Sequence, residues 1–67
     1  MNVLYIDVLG NCHAVNSTDV MPQLGNKVGL FSYSPSPTVN SVIVHPSKDI
    51  IEKLKPGLKI DVLVTVE

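Results

Sequence analysis

The sequence predicts a mainly-β domain: a small five-stranded, barrel-like or curled antiparallel sheet with one short helix, about residues 47–55, before the last strand. Three observations carry this expectation. Val- and Ile-rich segments recur with the two-residue alternation of half-buried strands. Glycine and proline punctuate them at Gly10, Pro35, Pro37, Pro56 and Gly57. Only one segment carries both a start and a stop signal for a helix.

Residues 3–9 read as the first strand, with Leu4, Ile6 and Val8 on one face and Val3, Tyr5, Asp7 and Leu9 on the other. Gly10-Asn11 is a two-residue hairpin signal, leading into a weaker strand through Cys12, His13, Ala14 and Val15. Residues 16–26 (NSTDVMPQLGN) are a loop by composition, broken by Pro22, whose Val20, Met21 and Leu24 are expected to fold back over one end of the core. Residues 27–34 (KVGLFSYS) read as a third strand, with Val28 and Leu30 on one face and Phe31 and Tyr33 on the other. Pro35 and Pro37 stop it, because neither donates a ladder hydrogen bond. Residues 38–45 (TVNSVIVH) form a β-branched fourth strand.

Ser47 then stands as a helix N-cap, and Asp49 places negative charge in the first turn, where the helix dipole favours it. Ile50, Ile51 and Leu54 supply the apolar stripe. Lys55-Pro56-Gly57-Leu58 ends the helix in a type II turn. Ile60, Val62, Val64 and Val66 alternate with Lys59, Asp61, Leu63 and Thr65 as the fifth strand. A closed sheet of this kind also removes exposed strand edges.

Sixty-seven residues, 45% hydrophobic and 16% charged with a net charge of −1, fit one domain spanning 1–67. They exclude a disordered tail, a basic nucleic-acid arm and an acidic nucleic-acid mimic, none of which has this balance. One cysteine excludes an internal disulfide framework and fits a reducing compartment. Asp7, Asn11 and Asp61 interrupt the apolar stretches well short of the roughly 20 residues of a membrane span. The N-terminal MNVLYIDVLG lacks a basic region before its apolar run, so no signal peptide is expected. Asn16-Ser17-Thr18 matches the glycosylation pattern but reads as a polar loop without secretion. A cytoplasmic location is therefore expected.

Chemistry-bearing residues are sparse. Cys12 and His13 are neighbours on a strand and point to opposite faces, so one reaction does not readily use both. Cys12 with His45 would need to meet across strands, and no C-x-x-C, H-x-x-x-H or carboxylate cluster completes a metal site. The acids are scattered; Asp49 and Lys53 form only an i,i+4 helix pair. Glycines 10, 25, 29 and 57 form no phosphate-binding pattern. All basic residues are lysines; Lys48, Lys53, Lys55 and Lys59 surround the helix, interleaved with Asp49, Glu52 and Asp61. Without arginine there is no bidentate reader of phosphate or guanine. No catalytic residue, metal or cofactor is expected, and the protein is not expected to be an enzyme.

From Pro46 onward, PSKDIIEKLKPGLKIDVLVTVE is similar to the helical turn, L-x-x-G turn and valine-alternating strand of molybdate-binding Mop/TOBE barrels. The likeness covers about a third of the chain, and the N-terminal third lacks the family's N-x-x-x-G-x-V strand. No oxyanion-binding residue matches, so none is carried over.

If Leu4, Ile6, Val8, Val28, Leu30, Val62 and Val64 fill a single interior, then Tyr5, Leu9, Phe31, Tyr33 and Leu63 are surplus to it. A contiguous patch of them would mark an interface. The expected function is accordingly a non-enzymatic interaction module that self-associates or docks on a larger protein. Accessory and decoration proteins of viruses and phages supply an analogy of size alone. The alternatives are a single-stranded nucleic-acid binder stacking bases on the aromatics, with nucleic acid disfavoured by charge, and a small-oxyanion binder at subunit interfaces. The other packing is that residues 16–26 cover the aromatics as a second small core.

Overall fold

A computed structural model describes every residue except Phe31, Ser32 and Ser34. The elements follow the order β1 (Asn2–Asp7), β2 (Cys12–Ser17), β3 (Val39–Val44), α1 (Lys48–Leu54) and β4 (Val62–Val66). They build one four-stranded sheet in the spatial order β2-β1-β4-β3. The mainly-β class and the single short helix agree with the sequence. Closure and a uniformly antiparallel sheet do not: the sheet is open, and its central pair β1–β4 is parallel, with Val3 beside Val62 and Tyr5 beside Val64.

The β1–β2 hairpin turns earlier than Gly10-Asn11 would have it. Asp7 ends β1 because its carboxylate accepts from the N–H groups of Leu9 (2.9 Å) and Asn11 (3.0 Å), drawing the chain out of extended geometry. The loop is Val8-Leu9-Gly10, with the Gly10 N–H donating to the Asp7 carbonyl and Gly10 at φ 88°, a conformation that favours glycine. Val8, assigned to the interior from its spacing, is exposed on this loop. A register shift between Tyr5 and Ile6 leaves His13 as an extra residue on β2.

The third expected strand, residues 27–34, is reduced among the described residues to two isolated bridges, Lys27 to Thr38 and Leu30 to Tyr33. The Val28 N–H donates to the Pro37 carbonyl and the Tyr33 N–H to the Leu30 carbonyl, so the segment bonds to its own neighbourhood instead of to a long partner strand. Pro35 and Pro37 cannot donate in return.

The helix matches its sequence signals. Ser47 Oγ accepts from the Ile50 N–H at 3.3 Å, and Asp49 lies in the first turn. Gly57 follows Pro56 at φ 85°, as a type II turn requires. Of the expected stripe, Ile51 is buried and Leu54 partly so, whereas Ile50 is substantially exposed.

Both faces of the sheet are covered. On the helix face, Leu4, Leu63, Ile51 and Ile60 form one cluster, with Ile6 and Leu54 against it. On the other face, Val3, Tyr5, Val62, Val64, Val66, Val39 and Leu30 form a second, flanked by Met21, Val28, Tyr33 and Val42. The single interior is thus two, and Leu4 and Ile6 lie opposite Val62 and Val64 instead of beside them. The connection between β2 and β3 does fold back as a lid, but through Met21, Val28 and Leu30; Val20 and Leu24 remain exposed. Its middle is fastened at the sheet edge, where the Gly25 N–H donates to the Val39 carbonyl and the Val39 N–H to the Asn26 carbonyl. No helix among the described residues is long and apolar enough to cross a membrane.

Candidate functional site

Of the five residues expected to form an exposed patch, the four that are described do not stand together. Tyr5 and Leu63 are 6% and 4% exposed and belong to opposite cores. The parallel pairing causes this, because β1 and β4 at the centre of a sheet covered on both sides have no outward face. Tyr33 is half-buried against the loop-side core, its ring edge-on to His13 with centroids 4.9 Å apart. Leu9 is 85% exposed at the hairpin tip, next to Val8. Phe31 lies outside the described residues.

The polar groups converge at one end of β1, around Asp7. Its Oδ1 takes the two backbone N–H groups of the hairpin loop, while Oδ2 takes the Asn11 side-chain amide at 3.1 Å and lies 2.8 Å from His13 Nε2. The hydrogen bond with His13, followed by that from the Asn11 backbone, holds the Asp7 carboxyl down at about 2 from an ordinary 3.8. The arrangement satisfies all partners of one carboxylate and fixes the hairpin. A carboxylate this strongly held is a poor general base near neutral pH. Because the folded-state pKa is depressed, its contribution to stability is present above pH 3.8 and is lost as pH falls towards 2. Asp7→Asn is expected to lower the urea midpoint at pH 7 and to flatten its fall between pH 4 and pH 2. Circular dichroism across that range checks it; a variant whose midpoint tracks the wild type at every pH would remove Asp7 from this role.

The other reactive side chains are dispersed. Cys12 is exposed on β2, and its thiol donates to the Leu54 carbonyl at 3.2 Å, meeting one of the carbonyls left open at the end of α1. His13 faces the opposite side of the sheet, towards Tyr33. His45 follows β3, so Cys12 and His45 occupy opposite edges, three strand spacings or roughly 14 Å apart. The cross-strand dyad cannot form. Among the described residues no three His, Cys, Asp or Glu side chains are grouped to hold a metal.

Shallow grooves flank the sheet, among them two of more than 300 Å³. One, about 380 Å³, runs between the end of β3 and α1, with Ile51, Leu58 and Ile60 as an apolar floor and His45, Lys48, Glu52 and Lys59 on its walls. The other, about 320 Å³, lies beneath the long connection beside Tyr5, Asn16 and Val28. The mixed charges of the first and the polar rim of the second do not converge on one ligand chemistry.

The edges of the sheet are more distinctive. β2 (CHAVNS) is polar at half of its positions and carries the His13 bulge; its one large apolar exposure is Val15, at 37%. β3 (VNSVIV) has no charged residue, and Ile43 and Val44 are 44% and 51% exposed. Edge strands are ordinarily blunted by charge, proline or bulges. In β3 the bulge at Asn40 and the fastening of Val39 guard only its first part. Sequence reasoning missed this edge because it assigned the strand to a closed sheet. The β-branched, uncharged run was itself visible.

No protein-family model, curated protein or solved structure matches the chain.

Proposed function

We propose that this protein is a non-enzymatic interaction module that works by associating with itself or by docking on a larger protein, with the β3 edge as its contact. The observation that carries the reading is an uncharged, β-branched edge strand exposing Ile43 and Val44. Such an edge combines main-chain pairing groups with apolar side chains, the two ingredients of recognition by strand addition. Leu9 and Val8, at the far end of β1, offer a smaller apolar tip. Tyr5 and Leu63 take no part, since both stabilise the cores instead. Base stacking is the weaker reading. Tyr5 is buried, Tyr33 packs against His13, and a net charge of −1 leaves little counterion release to drive nucleic-acid binding. Oxyanion binding is weaker too, for want of converging donors.

A photoreactive phenylalanine analogue at position 44, irradiated in the cells that make the protein, tests the reading. A discrete covalent protein adduct is expected from position 44 and none from position 53, on the exposed surface of α1. No adduct at position 44, or the same adducts from both positions, overturns it.

A further inference from the structure

We infer that the free edge of β3 pairs antiparallel with β3 of a second copy of this chain, about a two-fold axis passing between the two Ile43 residues. The inference rests on the interaction-module reading and names its partner. Thr38 and Glu67 exchange both of their hydrogen bonds, and the His45 N–H donates to the Asp61 carbonyl at 2.9 Å. With Ser41 opposite Thr65 and Ile43 opposite Leu63, the alternation of an antiparallel ladder turns Ser41, Ile43 and His45 towards β4. Val42 and Val44 therefore direct their N–H and C=O groups away from the sheet.

The usable stretch is bounded at both ends. Towards its start, Val39 is already bonded to Gly25 and Asn26, so residues 25–26 occupy the edge there. Towards its end stands Pro46, which has no N–H to give. Between these stops, one self-pairing register satisfies all four outward groups of each chain. It sets Val42 opposite Val44 of the second copy, and Val44 opposite its Val42, making four main-chain bonds. Shifting the axis to Val44 brings Val42 against Pro46 and loses bonds. Shifting it to Val42 runs Val44 into the bulged, already fastened segment at Asn40.

The side chains suit the same register. Ile43 meets its own counterpart as a closely spaced, non-hydrogen-bonded pair on the helix face, and Val44 meets Val42 on the other face. No charge lies within β3 to be set against its copy. The result is a continuous eight-stranded sheet with the two β3 edges removed, closed by a two-fold axis and so limited to a dimer.

The register makes a geometric demand that tests it. Across the axis the two position-43 Cα atoms are about 4.5 Å apart, within disulfide reach, while the two position-44 Cα atoms are roughly 8–9 Å apart and beyond it. With Cys12→Ser removing the native thiol, Ile43→Cys is expected to form a disulfide-linked dimer under mild oxidation, and Val44→Cys less than a tenth as much. Ile43→Lys and Ile43→Glu, at a half-exposed position where the circular dichroism spectrum is retained, should each weaken the dimer at least tenfold in sedimentation equilibrium. Their mixture should restore it. Equal cross-linking at both positions, a ladder of higher polymers, or a monomeric wild type at every concentration overturns the self-pairing. If the wild type is monomeric but the position-44 photoadduct is a different protein, the interaction module stands without the dimer; if there is no adduct either, both fall.

Discussion

Leu4→Ala is expected to destabilise the fold by about 2–5 kcal/mol, the range for removing a large aliphatic side chain from a packed core. Leu4 is fully buried where β1 meets Leu63, Ile51 and Ile60, and it ties the helix to the central strands. A chain of 67 residues has only roughly 3–10 kcal/mol of net stability at the usual value per residue. The substitution therefore consumes a large part of the total, and the unfolded form should be populated near room temperature. Urea titration followed by far-UV circular dichroism gives the measure, with helix and strand signals expected to disappear together. A midpoint within experimental error of the wild type would mean that α1 does not pack on this face.

Tyr5→Ala is expected to be comparably damaging, about 3–5 kcal/mol by analogy with other large aromatic truncations. Its ring lies under the long connection, among Val3, Val64 and Leu30. Burial also pushes its phenol pKa upward. Leu9→Ala, at the exposed hairpin tip, should change stability by no more than about 0.5 kcal/mol. The contrast separates two packings of the chain. If Tyr5 belonged to an exposed aromatic patch, both substitutions would be mild and Tyr5→Ala would change association instead.

The local elements were largely legible because their signals are local. Ser47, Asp49 and Pro56 bracket α1, and the β-branched run at 39–44 is a strand in both sequence and structure. Residues 27–34 misled because alternation at Val28 and Leu30 reports burial, which is correct, but not ladder pairing, which the surrounding prolines and Gly29 disfavour. The candidate patch failed for a different reason. Period-two spacing tells which residues of a strand share a face, not which strand lies alongside or whether the second face is covered. One signal did point that way: VLYI in β1 and VLV in β4 are almost unbroken apolar runs, the mark of strands buried on both sides. Read so, they identify the centre of the sheet and place Tyr5 and Leu63 inside. The β3 edge was hidden by the assumption of closure.

The parallel pairing of β1 with β4 also sets an order of events during synthesis. Val3 must find Val62, 59 positions later in the chain, before either core can close. Contacts this distant in sequence slow folding, because the entropy of closing the intervening chain is lost before the pairing repays it. The first hairpin can flicker in and out of existence on the nascent chain, yet the side of β1 away from β2 has no neighbour until β4 has been translated. Until then, VLYI in β1 and VNSVIV in β3 are both uncovered apolar β segments, and the ribosome-bound chain is at its most vulnerable to chaperone capture and to aggregation. A truncated product lacking β4 should accordingly be recovered in the insoluble fraction, even though every residue of β1, β2, β3 and α1 is present.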